Sequence, residues 1–177
     1  MDRTERYFKI SLDILLFILL YFIINQLVGK LESIILAIIL AHTLNWIFNG
    51  QIFVLLKNLN LLETSKGSFI EYLDNIEVRL KNENCIIAAA AFGSISREKL
   101  KSTSDLDIRI IRKPGIRNAI KACIFLLKER TLSFFKFFPL DIYVLDDFDM
   151  ISEHIKNEKP IVIFDPEKIF EKTNLRN

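Results

Sequence analysis

The sequence is poor in cysteine and nearly balanced in charge, and each of these features excludes whole classes of protein. Its 177 residues include two cysteines, Cys85 and Cys123, which are too few for a disulfide framework and are not spaced as metal ligands. Both lie in apolar stretches, so we expect buried free thiols in a reducing compartment. The formal net charge is only +2, which gives no overall field for attracting nucleic acid.

Apolar residues are abundant, at 51% of the chain, and they are concentrated in its first third. Residues 10–29 carry a single charge, Asp13, and residues 33–56 contain no Asp, Glu, Lys or Arg. A helix that crosses a bilayer needs about 20 mostly apolar residues. We therefore expect residues 1–58 to form a helical hairpin that crosses the membrane twice and anchors the protein.

The charges that flank the two apolar segments predict the orientation of this hairpin. Arg3, Arg6 and Lys9 precede the first segment and Lys57 follows the second, whereas only Lys30 lies between them. Positively charged flanks stay on the cytoplasmic side. The sequence thus predicts a multi-pass protein of the cell membrane, with the rest of the chain in the cytoplasm.

Three other interpretations of the apolar segments compete with this one. A cleaved signal peptide is disfavoured, because no small-x-small site follows the first segment and a second one comes next. A buried hairpin in a soluble protein and a re-entrant or interfacial hairpin both stay open. Helical spacing places four residues of the second segment on one face: His42, Asn45, Trp46 and Asn49. Packing between helices, including packing within a homo-oligomer, is favoured for this face over contact with a lipid headgroup or lipid-linked substrate.

The remaining chain reads as a linker at residues 59–67 and one α/β or α+β domain at residues 68–177, with a short mixed sheet. The elements expected in order are a helix capped near Ser68, strands at 85–92 and 105–112, a helix at 116–135, a strand at 137–146, a helix at 147–158 and a strand at 160–165.

Two carboxylates stand on one predicted strand, in the stretch "SDLDIRII". Side chains alternate along a strand, so Asp105 and Asp107 point the same way while Leu106 and Ile108 point into the core. Neighbouring carboxylates repel one another unless a cation neutralises them. Oxygen ligands of this kind suit Mg²⁺ or Mn²⁺, and a hydrogen-bonded structural pair is the alternative.

A Gly-Ser pair precedes these carboxylates by about ten residues. Gly93 follows a buried strand, where a glycine lets backbone N–H groups approach an anionic ligand. Ser94 can donate a hydrogen bond to a phosphate oxygen, or it can cap a short helix that starts near Ile95.

A third carboxylate, Asp141, lies in the strand-like stretch "LDIYVL". Three carboxylates that face a phosphate-binding turn favour phosphoryl transfer assisted by two metal ions. Four other aspartates are candidates for this third position, although their places at turns and helix starts are typical of caps: Asp146, Asp147, Asp149 and Asp165.

The stretch "FGSISREKLKSTSDLDIRI" resembles the minimal nucleotidyltransferases of the DNA polymerase β superfamily. Their pattern is a hydrophobic residue with Gly-Ser, a spacer near ten residues, Asp–hydrophobic–Asp, and a third Asp on a later strand. The similarity spans residues 86–165, and the residues that match the pattern are Gly93, Ser94, Asp105, Asp107 and Asp141, with Arg97 and Ser104 at positions often filled this way. Glu98 replaces a glycine that often follows the arginine.

The resemblance implies a nucleotidyltransferase domain in which the three aspartates are catalytic and hold two Mg²⁺ or Mn²⁺ ions. It further implies that Gly93, Ser94, Arg97 and Ser104 bind the nucleotide. Combined with the hairpin, it predicts a membrane-anchored, Mg²⁺-dependent transferase that moves NMP from an NTP to an unidentified acceptor, either lipid-linked or a protein.

Two other functions stay open. One is a non-catalytic nucleotide-binding module or an antitoxin-like partner of another protein. The other is a glycosyltransferase with an Asp-x-Asp motif, which the upstream Gly-Ser pair and the short domain disfavour. The domain has no basic or aromatic platform of the kind that tRNA or DNA needs.

Overall fold

The hairpin at the start of the chain consists of α1 (Arg3–Ile24) and α2 (Lys30–Phe48). The structure is a computed structural model that describes residues 2–49, 52, 53, 56, 59, 62–146, 151 and 158–170. The buried residues of α2 recur every four positions, and the first three of them are small: Ser33, Ala37, Ala41 and Asn45. Small residues let two helix backbones approach closely, which explains why α2 packs along α1 on this side.

Both hairpin helices are long and apolar enough to cross a membrane. Large apolar side chains are exposed along both of them, from Ile10 at 49% to Leu31 at 69% and Ile39 at 55%. Within this chain, 0% of the apolar window of α1 and 22% of that of α2 is buried. The two helices are therefore not core helices of the described fold. Membrane crossing and orientation stay predictions, and Lys57 lies outside the described residues.

The remaining described elements follow the expected order. They are α3 (Lys66–Lys81), β1 (Ile86–Phe92), β2 (Leu106–Arg112), α4 (Ile116–Phe135), β3 (Leu140–Leu145) and β4 (Ile161–Phe164). The cap expected near Ser68 is wrong by three residues, because the hydroxyl of Ser65 accepts a hydrogen bond from the Ser68 N–H at 3.1 Å. Helix α3 thus begins inside the expected linker. The helix expected at 147–158 lies almost wholly outside the described residues.

The four strands form one small mixed sheet in the order β3-β2-β1-β4. Strand β2 is parallel to β3, whereas β1 is antiparallel to both β2 and β4. These elements confirm the expected combination of helices with a short mixed sheet. Because β1 runs opposite to β2 and β3, its end lies beside their beginnings, where Phe92 pairs with Asp107 and Asp107 pairs with Asp141.

Helices α3 and α4 cover one face of the sheet. Leu106, Ile108 and Ile110 of β2 are completely buried there, in a cluster that includes Ile76 of α3 and Phe125 of α4. As expected from strand alternation, the side chains of Asp107 and Arg109 lie on the opposite face. The candidate site therefore stands on the side of the sheet that these two helices leave uncovered.

The base of the hairpin covers the outer edge of β3. The Asp146 N–H, just after β3, donates to Asp2 Oδ2 at 2.6 Å. The guanidinium of Arg130 on α4 is 4% exposed and donates to Glu5 Oε1 at 2.7 Å, to Asn49 Oδ1 at 2.8 Å and to the Ile142 carbonyl. Covering an edge strand protects its unpaired backbone groups. The division at residue 58 stays a prediction, and these contacts cross it.

Two of the four residues on the polar face of α2, Asn45 and Asn49, make the packing contacts expected for this face. The Asn45 amide donates to the Lys9 carbonyl of α1 at 3.1 Å, and Asn49 bridges Asn45 to Arg130. His42 lies 3.5 Å from Asp13 Oδ2 and is exposed, and Trp46 is 38% exposed. The two asparagines therefore hold the base of the hairpin against the domain.

Candidate functional site

The three aspartates singled out in the sequence converge where β1 ends. Asp107 on β2 and Asp141 on β3 are partners in the parallel register. Asp105 directly precedes β2, which starts at Leu106, so it lies just before the strand in which we expected it. Its negative charge acts on Asp107. Parallel pairing of β2 with β3 is what brings residues 34 positions apart into one cluster.

The surroundings of the Asp107 carboxyl group disfavour its ionised form. Burial, a hydrogen bond with Asp141 and the charge of Asp105 together raise its pKa to about 7, although the charge of Arg109 opposes them. A carboxyl group with a pKa this high resists ionisation because it is buried and because other acidic groups lie beside it. The cluster therefore attracts positive charge.

One such charge is supplied by Arg109, which the sequence analysis did not single out. Its Nη2 lies 3.7 Å from Asp107 Oδ1 and 3.5 Å from Asp141 Oδ2. Its guanidinium also stacks 4.6 Å from the centre of the Tyr143 ring. Strand alternation places residues 107 and 109 on one face, so the sequence did hold a signal for this contact.

Position 93 requires a glycine both because of its backbone conformation and because of the side chain packed beside it. Its φ of +79° is a conformation that favours glycine. A Cβ atom at this position would lie 2.2 Å from Asp107 Oδ2. The space that a side chain would take is thus filled by the Asp107 carboxylate, which packs directly against the turn after β1.

Ser94 does not cap a helix, because residues 93–98 form turns instead of the short helix considered as its alternative role. The Ser94 hydroxyl oxygen is buried and has no hydrogen-bond partner among the residues that the structure describes. Buried polar groups are nearly always hydrogen-bonded. The hydrogen-bonding capacity of this hydroxyl, one residue after Gly93, is therefore unused within the described part of the chain.

The two other residues implied in nucleotide binding lie in the connection between β1 and β2. Arg97 is half exposed and its Nη1 lies 3.2 Å from Glu158 Oε2, and the Ser96 hydroxyl also donates to Glu158. The Ser104 hydroxyl accepts a hydrogen bond from the Lys101 N–H at 3.0 Å and closes a turn. Both residues thus have structural partners, and a role in nucleotide binding stays a prediction for each.

Two of the four alternatives to Asp141 have other structural roles in the described part of the chain. Asp146 pairs with Arg112 at 2.6 Å, beyond the far end of β3. Asp165 accepts from the Ile169 and Phe170 N–H groups and acts as a cap. Asp147 and Asp149 lie outside the described residues.

The carboxylate oxygens of the cluster are of the chemical type that Mg²⁺ and Mn²⁺ prefer. A carboxyl group with its pKa raised to about 7 by burial and by like charge is also one that a cation would relieve. However, no group of three or more His, Cys, Asp or Glu side chains within the described part of the chain is arranged to hold a metal ion. The residues fit divalent ions by donor type, with Arg109 supplying the positive charge in the present arrangement.

Comparison with known proteins assigns no family. No family model matches the sequence, and no curated protein matches it. The fold can be aligned with a solved structure described as "Crystal structure of the toxin-antitoxin with AMP-PNP". That alignment covers 63% of this chain and 83% of the other, with 15% sequence identity and a TM-score of 0.41. A likeness at this level carries no argument about function.

Proposed function

We propose that the protein is a membrane-anchored nucleotidyltransferase that transfers NMP from an NTP to an acceptor hydroxyl. The observation that carries the proposal is the meeting of Asp105, Asp107 and Asp141 beside the turn at Gly93. The spacing of these residues in the sequence resembles that of minimal nucleotidyltransferases, and parallel pairing of β2 with β3 aligns the second and third aspartates.

The chain supplies distinct groups for the two ends of such a reaction. The buried Ser94 hydroxyl, which has no partner in the described part of the chain, can donate to a phosphate oxygen of the nucleotide. An ionised carboxylate of the Asp107–Asp141 pair can accept the proton that leaves the acceptor hydroxyl. Divalent ions held by Asp105, Asp107 and Asp141 would neutralise the triphosphate and lower the pKa of the attacking hydroxyl.

The exposed apolar surface of α1 and α2 supports the membrane anchor. Large apolar patches on a protein surface mark a contact with another protein or with lipid. Both helices have the length that a bilayer requires. With the flanking charges of α1 on the cytoplasmic side, the domain lies where nucleotides and Mg²⁺ are found.

The experiment measures the products of NTP turnover by the purified full chain in detergent with Mg²⁺ or Mn²⁺. A nucleotidyltransferase releases pyrophosphate, whereas a glycosyltransferase releases nucleoside diphosphate from a sugar nucleotide. Pyrophosphate release should be lost in Asp107→Asn and kept in Asp74→Asn, an exposed aspartate of α3 that serves as a matched control. Equal release by the wild type and Asp107→Asn would refute the assignment.

The contacts of Arg109 support a second candidate function, which is a module that binds nucleotide without catalysis. Its guanidinium already contacts Asp107 and Asp141, so the cluster can be neutralised without a metal ion. Such a module, including one that acts as an antitoxin-like partner, would bind NTP in the presence of EDTA. It would release neither pyrophosphate nor nucleoside diphosphate.

A further inference from the structure

The outer side of α4 carries a stripe of isoleucines. Ile116, Ile120 and Ile124 are spaced four residues apart and are 78%, 50% and 42% exposed. Residues with this spacing lie on one helix face. The opposite face of α4 is buried against the sheet, with Ala122 and Phe125 in the core. The isoleucine stripe therefore lies outside the hydrophobic core of the domain.

Positive charge lies beside this stripe. Arg117, Lys121 and Lys128 are exposed on the adjoining side of α4. The one acidic residue of the helix, Glu129, is 1% exposed and accepts hydrogen bonds from Tyr72 and Arg79. The outer side of α4 therefore combines apolar and basic side chains and has no exposed acidic one.

The stripe is continuous with the surface of the hairpin. A groove of about 390 Å³ runs between α4 and the first turns of α1, and Tyr7, Phe8, Ile116 and Ile120 line it. Tyr7 is itself 69% exposed, and exposed apolar side chains continue along α1 at Ile14 and Leu15. Apolar side chains therefore lie both in the groove beside α4 and on the hairpin beyond it.

We propose that the outer face of α4, defined by Ile116, Ile120, Ile124, Arg117, Lys121 and Lys128, docks on an anionic bilayer surface. This proposal rests on insertion of the hairpin into the same membrane, as put forward above. Apolar side chains beside basic ones are the pattern of helices that lie in the membrane interface. Basic side chains near a membrane are attracted by anionic headgroups.

Charge argues for lipid over a second copy of the chain. In a symmetric dimer the same patch faces itself. Arg117, Lys121 and Lys128 would then approach their own copies with no exposed acidic residue on α4 to pair with. An anionic membrane offers the opposite charge instead.

Docking through α4 also orients the candidate site. Ile108 packs on the α4 side of the sheet, and the neighbouring Asp107 lies on the other side. The aspartates would then face away from the bilayer. An acceptor dissolved in the cytoplasm, such as a protein, suits this orientation better than an acceptor buried among lipid chains.

The test places a fluorescent tryptophan on the stripe. The full chain carrying Trp46→Phe and Ile120→Trp is reconstituted into phosphatidylcholine vesicles, with or without phosphatidylglycerol, whose acyl chains are brominated. The matched control is Val78→Trp, since Val78 is 60% exposed on α3, beside the exposed acidic residues Glu71 and Asp74. Unmodified Trp46 reports in parallel whether the hairpin itself is inserted.

We expect brominated lipid to quench the tryptophan at position 120 and to shield it severalfold from aqueous iodide, most strongly with phosphatidylglycerol. The residue at position 78 should show the reverse. Replacing Arg117, Lys121 and Lys128 by Gln should weaken the quenching, whereas Lys66→Gln with Lys159→Gln, two exposed lysines elsewhere, should leave it unchanged.

Three results would overturn the proposal. Quenching of Trp46 with free access of iodide to position 120 would leave the anchor standing and refute the docking. Shielding of position 120 that needs a high protein density, without quenching by lipid, would indicate a second copy. An unquenched Trp46 would refute insertion and docking together. None of these results depends on NTP turnover, so the proposed chemistry is tested separately.

Discussion

Replacing Asp107 by Asn should make the metal-free protein more stable at neutral and alkaline pH. In the folded chain the pKa of Asp107 is about 7, against an ordinary value of 3.8. The folded state therefore keeps a proton that the unfolded state has already lost. The contribution of the protonated Asp107 to the free energy of unfolding is fully present below pH 4. It is lost as the pH rises through 7, and above that the stability no longer changes with this group.

The size of this effect follows from the shift in pKa. A difference of about 3 pH units corresponds to about 4 kcal/mol, since each unit is worth about 1.4 kcal/mol. The Asp107 side chain is 23% exposed, and solvent screens part of the repulsion. We therefore expect wild-type stability to fall by about 2–4 kcal/mol between pH 4 and pH 8, and expect Asn at this position to remove most of that fall.

Urea unfolding of the full chain in detergent with EDTA, followed by hydrogen exchange of β2 and β3, measures the change. Asp74→Asn on the exposed side of α3 is the matched control and should behave as the wild type does. Mn²⁺ should restore stability to the wild type at pH 8 and leave Asp107→Asn unaffected. A wild type whose stability does not change between pH 4 and pH 8 would refute the electrostatic reasoning.

Two further substitutions and one truncation test other contacts of the site and the hairpin base. Arg109→Met should raise the affinity for Mn²⁺ about tenfold in calorimetry, because the cation that shares the two carboxylates is removed. Gly93→Ala should cost about 1–3 kcal/mol in thermal unfolding because of its positive φ and the crowded carboxylate, and Gly67→Ala should not. A chain of residues 62–177 should lose about 3–5 kcal/mol because Arg130 loses its buried partners, and Arg130→Met should recover part of it.

Unchanged Mn²⁺ affinity in Arg109→Met would mean that the arginine does not compete for the carboxylates. Equal losses in the Gly93 and Gly67 variants would show that the contact with Asp107 carries no cost. A truncated chain as stable as the full one would show that the hairpin base adds nothing to the domain.

Local patterns in the sequence predicted most of the fold. Alternation of Leu106, Asp107 and Ile108 indicated a strand with one buried face, and the described helices and strands lie close to where their apolar spacing placed them. Local patterns failed at the start of α3, where Ser65 and Ser68 are both suitable caps and hydrogen-bond the same turn.

Contacts between distant parts of the chain could not be read in this way. Glu5 and Arg130 are 125 residues apart and meet only because α1 runs along the edge of β3. Similarly, the sequence predicts a glycine turn at Gly93, but the Asp107 carboxylate takes up the neighbouring space only after β1 and β2 have paired. Such contacts depend on tertiary packing, for which a single sequence carries no periodic signal.

The most direct test of the proposed transfer follows the α-phosphate of the nucleotide. The full chain in vesicles is incubated with Mn²⁺ and each NTP labelled at the α-phosphate, together with soluble protein and lipid fractions as acceptors. The proposal predicts covalent label on an acceptor, in a one-to-one ratio with released pyrophosphate, that is lost in Asp107→Asn and kept in Asp74→Asn. Label that stays entirely in free NTP with every nucleotide and both acceptor fractions, or transfer that survives in Asp107→Asn, would contradict it.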